Sequence, residues 1–506
     1  MPYVIPILSL IIAGYISFNN LIVHWNDFFI YVGWAEDFIR LSNFPYWISP
    51  VFPIGYPLLL KLFFFITGDY LIAARIISLV GGGLCVLFTY KIVYSLLKDR
   101  KLAFLSQLFL FSSLFIQWFF LEGSDTLALS FQLISVYFII KDGHSNSDLV
   151  ISGVFAGLAY MMRYQSLILI PITFFWIIYG QKRKEESPLE KAFYYYLLFF
   201  LIASFPQLYI SLFSKGNPFW MCQGKNIWFG IYGDKNWVSN WARVPYDISV
   251  LNVIMLSPLN FFNNWFKQFI LGIKMIQPMF PLNLFASAGL LLSLFAEIND
   301  NKKNIFFILI ITFAILFFTS MAFVTDRLLI FAYPFMTIFS LKFIDMVIPT
   351  HLTFFRRVRI SFKLLFLIVI LSYMTFFVCF RYLPSYHNDP RFITSVKVSK
   401  VLRENGMTTS NEVFSSSTDL YDHFSSKKER FPIFMDYGTP EKFSIIEKLV
   451  KIIKEKEVKF LIYEEMYGYV NYPGLQELFD PSKAPSSFHL IYKQEAYPRM
   501  AIYKIY

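Results

Sequence analysis

Charge, cysteine and histidine are all scarce in this chain. Of its 506 residues only 16% are Asp, Glu, Lys or Arg, with three cysteines and six histidines. A soluble enzyme of this length carries about a quarter of its residues charged, so a large soluble fold is excluded. Cys85, Cys222 and Cys379 stand singly, without CxxC or metal-type spacing. They read as small buried residues and leave the redox compartment open. No Asn-x-Ser/Thr sequon, internal repeat or low-complexity tract occurs. Met1–Val23 has neither a basic leader nor a small-residue cleavage pattern, so it is expected to be a retained first span.

What the chain has in abundance is apolar surface, at 56% hydrophobic and 20% aromatic residues. Runs such as Ile305–Val324 and Leu364–Phe380 reach or approach the ~20 residues that cross ~30 Å of hydrocarbon. Apolar runs between charged or Pro/Gly-rich breaks predict about eleven transmembrane helices, near 3–23, 71–97, 102–119, 124–140, 149–162, 164–180, 192–213, 281–297, 305–323, 328–347 and 364–381. A net charge of +11 would suit nucleic acid, but the basic residues collect in short loops rather than one patch, so no nucleic-acid partner is expected.

Those loops set the orientation, because short basic loops stay cytoplasmic. With the N-terminus inside, Lys98, Arg100, Lys101, Lys141, Lys182–Lys184, Lys191, Lys302, Lys303, Arg356, Arg357, Arg359 and Lys363 all fall on that side. The short outer connections hold single charges at Arg40, Arg163 and Arg327. Two long segments, 24–70 and 214–280, are then outside. The first holds an expected surface-lying helix at Asp27–Leu41, a Pro-rich turn and the short apolar Leu58–Thr67. The second contains the aromatic, glycine-punctuated Gly216–Trp241. Residues 1–382 thus form a transmembrane domain expected to be catalytic. Residues 383–506, charged and turn-rich, read as a soluble extracytoplasmic α/β domain, with a helix at Pro440–Glu457 and strands at Lys459–Tyr463, Phe488–Tyr492 and Met500–Tyr506. The whole is a cell-membrane, multi-pass protein.

Charged side chains at the outer ends of spans are costly near lipid and so mark cavities or sites. Asp27 begins the first outer helix, where it can cap or act chemically. Glu122 and Asp125 share the short outer turn Leu121–Asp125, where Ser124 or Asp125 can also cap the next span. Arg163 sits at an outer bend and is either an anion ligand or a head-group anchor. Arg327 poses the same question, with neighbouring Asp326 as an internal partner. Arg75 and Lys61 read chiefly as structural anchors. His387, Asp389, Asp436 and Tyr437 in the terminal domain lack metal or triad spacing and read as surface or turn residues.

The order of these elements resembles the GT-C superfamily, in the branch of aminoarabinose transferases, protein O-mannosyltransferases and related polyprenyl-phosphate-sugar transferases. The matching features are Asp27 in the first outer loop, Pro53–Leu59, the Arg75 segment, Glu122 with Asp125, and Gly157-Leu158-Ala159 leading to Arg163. Gly216–Phe219 and Asp326-Arg327 followed by Tyr333-Pro334 complete the set. The sequence departs in having Asn26-Asp27 where O-mannosyltransferases show Asp-Glu, so protein mannosylation is not supported. It also lacks the His/Glu metal arrangement of the aminoarabinose branch, which leaves a divalent metal open.

The resemblance implies a polyprenyl-phosphate-linked sugar donor, a glycan, lipid or protein acceptor, and inverting transfer to an acceptor hydroxyl. It assigns Asp27 as general base, with Glu122 and Asp125 orienting substrate or raising the base's pKa. Arg163 and Arg327 would neutralise the lipid phosphate, with Lys61 and Lys225 as lesser candidates. Tyr31, Tyr56 and Tyr333, within the matching segments, are candidates for substrate contact. Trp220, Trp228, Tyr232, Trp237 and Trp241 suit either sugar stacking or the membrane interface. A lipid-linked sugar flippase would place ionisable groups near the bilayer midplane within repeats, which this chain does not show. An O-antigen ligase or polymerase, and a degenerate transferase serving as a scaffold, are further alternatives.

Overall fold

The computed structural model describes residues 2–19, 28–37, 52–113, 115, 119, 122–141, 145–181, 189–232, 248–275, 285–286, 288–289, 302–322, 324–349, 352–354, 358–360, 362–382, 390–408, 412–415, 446–455, 457–465, 473–496 and 499–506. Asp27, Trp237, Trp241, His387, Asp389, Asp436 and Tyr437 lie outside them, as does most of the expected 281–297 span.

The first 349 positions are helical wherever they are described, apart from turns. Three described helices, Tyr70–Leu97, Phe193–Lys215 and Arg327–Val347, are long and apolar enough to cross a membrane. Six shorter apolar helices accompany them: Val4–Phe18, Gly55–Thr67, Asp125–Ile140, Tyr164–Ile177, Asn304–Ser320 and Leu365–Phe380. Their boundaries follow local chemistry. Gly68 adopts the left-handed φ of 66° that ends the Gly55–Thr67 helix, and Asp69 accepts from the backbone of Leu71 and Ile72 to open Tyr70–Leu97. Asp99 caps the Arg100–Phe111 helix in the same way. That helix stops well short of the expected 102–119 span.

Close helix packing uses small residues. Ser9, Ala13 and Ser17 recur every four positions along Val4–Asn19 and are buried, while Ile7, Ile11 and Tyr15 are exposed. Gly153 and Gly157 let the Asn146–Met162 helix touch the backbone of Leu189–Lys215. A Cβ on Gly157 would lie 2.6 Å from the Phe200 carbonyl oxygen, and one on Gly153 would press still closer on that of Tyr196. A buried core runs from Ile5 to Val378 through these helices.

Three described helices arise where the sequence suggested only loop, the first being Gln223–Tyr232. Val250–Leu256 and Pro258–Met275 lie within the 214–280 segment. Trp265 donates its indole N–H to the Phe317 carbonyl at 3.3 Å, and Gln268 accepts from the Val324 backbone at 3.1 Å, fixing the longer helix against Lys302–Ser320. Leu259, Phe262, Phe266 and Ile273 are left exposed along its outer side. Cys85 and Cys222 are buried as expected, but Cys379 is exposed on an apolar helix, a position a lipid-facing thiol tolerates.

Beyond the helices, Leu352–Phe354 (β1) pairs antiparallel with Val358–Ile360 (β2). The C-terminal part forms a four-stranded sheet of Val413–Ser415 (β3), Phe460–Glu464 (β4), Phe488–Gln494 (β5) and Met500–Ile505 (β6), in the order β3-β4-β6-β5. β3 runs parallel to β4, and the other pairs are antiparallel. Ile446–Glu455 packs one face through Leu449 and Ile453, and Pro390–Glu404 supplies Val398 and Leu402 to a second cluster with β3, β4 and β6. The expected helix and all three expected strands are present; β3 and the Pro390–Glu404 helix are additions.

Candidate active site

The turn Glu122–Ser124 leads into the Asp125–Ile140 helix, and its acids become the centre of a buried charge cluster. Asp125, 2% exposed, receives two guanidinium groups: Arg163 Nη2 lies 2.6 Å from Oδ1, and Arg327 Nε donates to Oδ2 at 2.7 Å. Asp125 is also the first residue of its helix, where the N-terminal end of the macrodipole favours a carboxylate. Ser124 precedes it without making a side-chain cap, so the expected hydroxyl cap is not formed. Glu122, 1% exposed, pairs with Arg75 at 3.3 Å.

These pairings place the arginines and acids singled out in the sequence. Arg75 is buried against a carboxylate. Arg163 turns inward to Asp125 rather than outward to lipid. Arg327 reaches a carboxylate on another helix, Asp125. Glu122 and Asp125 each have an arginine partner, and Asp27, whose pKa they were expected to raise, lies outside the described residues.

Arg75 pairs with Glu122, and Arg163 and Arg327 share the Asp125 carboxylate. Arg163 Nε is buried and makes no hydrogen bond among the described residues. A partly buried guanidinium whose Nε is shielded from water and has a donor to spare is suited to an anion.

Pro53–Leu59 positions the aromatic wall. Gly55 is required because a Cβ there would sit 2.6 Å from the Met161 carbonyl oxygen. This contact places Tyr56 beside Tyr31, ring centroids 5.0 Å apart. Both tyrosines are fully buried. Tyr31 also meets the Phe52 ring edge-on at 5.6 Å, which ties its helix to the start of the same segment. That helix is Phe28–Asp37, which Asp27 immediately precedes in sequence.

A second polar network flanks the cluster. Gln207 accepts from the Ile54 backbone N–H at 2.8 Å and donates to Tyr164 Oη at 2.8 Å and Ser211 Oγ at 3.0 Å. Sequence reasoning passed over Gln207; the available signal was a lone amide beside Pro206 within a long apolar helix.

Other candidates sit apart or pack differently. Lys61 is buried, donates to Tyr70 Oη at 2.9 Å and covers the Phe64 and Phe65 rings, which favours the structural role. Lys225 is buried in Gln223–Tyr232, where burial pushes its ammonium down to about 8 against a smaller pull upward from Cys222. Tyr333 is buried at the start of Tyr333–Val347, and its carbonyl accepts from Thr337. Trp228 packs against Tyr232, while Trp220 lies under Lys215.

Among the described residues no group of three or more His, Cys, Asp or Glu could hold a metal ion. Glu122 and Asp125, with cationic partners already on their oxygens, are poor ligands for a further cation. The described donor set does not fit a metal.

Residues 51–210 match the family of dolichyl-phosphate-mannose-protein mannosyltransferases. The matched stretch contains Tyr56, Arg75, Glu122, Asp125, Arg163 and Gln207, and begins after Asn26-Asp27. The match covers about a third of the chain, and likeness of fold to solved structures extends over nearly all of it. Among solved structures, the oligosaccharyltransferase AglB of Archaeoglobus fulgidus, in complex with an inhibitory peptide and a dolichol-phosphate, is 14% identical with a TM-score of 0.53 over 98% of this chain and 74% of that one. The apo form of the A. fulgidus oligosaccharyltransferase gives 14% identity and a TM-score of 0.54 over 96% and 73%. ArnT of Cupriavidus metallidurans bound to undecaprenyl phosphate is 12% identical, with a TM-score of 0.47 over 98% and 97%. No curated protein matches the sequence.

Proposed function

We propose that the chain is an integral membrane glycosyltransferase that moves a monosaccharide from a polyprenyl-phosphate donor to an acceptor hydroxyl at the extracytoplasmic face. The observation that carries this reading is the clasp of Arg163 and Arg327 on Asp125, in which Arg163 keeps a buried donor for a phosphodiester. The dolichol-phosphate held by AglB, a protein of the same fold, is a phosphomonoester of the kind that sugar transfer would release. Glycan, lipid and protein hydroxyls are all admissible acceptors. The N-terminus lies in the cytoplasm, residues 1–382 form the catalytic domain, and residues 383–506 form an extracytoplasmic domain over the cavity mouth.

In the transfer step the acceptor oxygen attacks the anomeric carbon while its proton passes to the Asp27 carboxylate. The anomeric carbon–oxygen bond to phosphate breaks with its electron pair going to that oxygen, and configuration inverts. The departing phosphate gains a negative charge, which the two guanidinium groups stabilise. Asp125 holds both in place, and Arg75 with Glu122 fixes the turn that carries it. Tyr31 and Tyr56 line the wall beside the carboxylates.

Sugar transfer in proteoliposomes tests this reading, with wild type and Asp27→Asn and a panel of radiolabelled polyprenyl-phosphate monosaccharides with membrane-extract acceptors. Transfer by wild type that collapses in the variant, with donor binding retained, supports both the reaction and the base. Movement of the lipid-linked sugar between leaflets without transfer would replace it with a flippase.

A further inference from the structure

The buried amide of Gln207 joins two limbs of the cluster that are far apart in sequence. One limb is the Ile54–Gly55 turn, which delivers Tyr56. The other is the Tyr164–Ile168 turn, which immediately follows Arg163. Gln207 accepts from the first through Oε1 and donates to the second through Nε2, and its other donation, to Ser211, stays within its own helix. One acceptor and two donors are therefore engaged at a residue with no exposed surface.

The surroundings make this placement informative. About a third of the Phe193–Lys215 span is buried, and its single glutamine lies on that buried side, whereas Phe205, Tyr209, Leu212 and Phe213 are exposed. Pro206 precedes Gln207 inside the helix, and a proline there removes one backbone hydrogen bond and permits a local bend. Earlier in the same helix, Gly153 and Gly157 of the neighbouring helix hold the two backbones in contact. The helix is thus clamped to the Asn146–Met162 helix at one level and to both limbs at another.

We infer that Gln207 is a positioning residue that sets the separation between the Tyr56 limb and the Arg163 limb, and through it the reach of Arg163 toward the donor phosphate. The limb geometry is independent of the reaction, whereas the effect on Arg163 rests on the function proposed above. Leucine at 207 keeps the volume but removes both kinds of hydrogen bond. Glutamate keeps an acceptor for Ile54 and can accept from the Tyr164 hydroxyl. Tyr164→Phe removes the Tyr164 arm, together with that hydroxyl's contact with Ser211, and leaves the Ile54 arm.

The first readout is amide hydrogen exchange on the full chain in detergent, followed in peptides covering Ile54 and Tyr164–Ile168. Gln207→Leu is expected to speed exchange in both by about tenfold, the weight of one or two net hydrogen bonds. Gln207→Glu should restore Ile54, and Tyr164→Phe should affect only the second peptide. Unchanged exchange at both sites in Gln207→Leu overturns the inference, whatever the protein's activity. The second readout is transfer kinetics: the donor KM should rise about tenfold in Gln207→Leu and Tyr164→Phe, with the acceptor KM within about twofold of wild type. Equal changes in both KM values would reduce Gln207 to a general stabiliser. A wild type that transfers no sugar would count against the proposed function, while the exchange result would still decide the role of Gln207.

Discussion

Asp125 and Arg327 stand 202 positions apart in the chain and meet through a 2.7 Å hydrogen bond, on the carboxylate that also holds Arg163. The bond closes the late Asp326–Leu329 helix onto the early Glu122–Ser124 turn, so the site is assembled from distant parts of the helical region.

Replacing Asp125 with Asn should strip the buried charge that reconciles two partly buried guanidinium groups. Breaking a buried pair by removing one partner costs about 3–5 kcal/mol. Thermal unfolding in detergent is expected to show that loss for Asp125→Asn, and a smaller one for Arg327→Met, in which Asp125 keeps Arg163. Equal melting of wild type and Asp125→Asn would show that the carboxylate does not hold the cluster.

Arg75 and Glu122 should behave as a coupled pair. Arg75→Met and Glu122→Gln each take from a buried charge its partner in this pair, whereas the double substitution removes both charges. A double-mutant cycle on stability is therefore expected to give a coupling on the order of 1–3 kcal/mol, with the double variant more stable than the sum of the singles. Additive effects would place the two side chains out of contact.

Gly153→Ala drives a methyl group into the Tyr196 carbonyl oxygen, a backbone atom that cannot rotate away. Overpacking of this kind costs about 1–3 kcal/mol. Gly216→Ala, with no atom within 4 Å of the new methyl group but a φ of 68°, should cost only its backbone strain. Comparing the two variants by thermal unfolding separates helix contact from backbone conformation.

The C-terminal sheet carries its own pH dependence. Partial burial raises the Glu412 carboxyl pKa, but hydrogen bonds from Lys459 and from the Thr408 backbone and hydroxyl outweigh it and hold the value at about 2, below the ordinary 4.5. A depressed carboxyl pKa stabilises the fold above the unfolded value, and that contribution is lost as pH falls from 4.5 toward 2. The melting temperature of Glu412→Gln should therefore fall below wild type at about pH 6 and approach it near pH 2. A constant difference across that window would contradict the assignment.

Much of this architecture is legible from the sequence because membrane spans and alternating strands leave strong local patterns. The Tyr70–Leu97 helix and strands β4, β5 and β6 fall within a few residues of where hydropathy and alternation put them. Pro258–Met275 escaped because Asn260, Asn263, Asn264, Lys267 and Gln268 interrupt its apolar run, although at about 100° per residue they gather on one side. The three-residue β3 is too short to show alternation. Glu122, Asp125, Arg163 and Arg327 were recognisable as charges at the outer ends of spans. Their pairing was not, because adjacency in sequence pointed Arg327 to Asp326 and each observed contact depends on how distant helices pack. Arg327 meets Asp125 from 202 positions away, and Arg75 meets Glu122 from 47.

The central claim is that Arg163 faces the donor phosphate, and its most direct test is kcat/KM for the lipid-linked sugar in proteoliposomes, comparing wild type with Arg163→Met at matched folded yield. Loss of a preorganised donor to developing charge should lower the value by about a hundredfold or more. A variant that transfers sugar within about twofold of wild type would contradict the account.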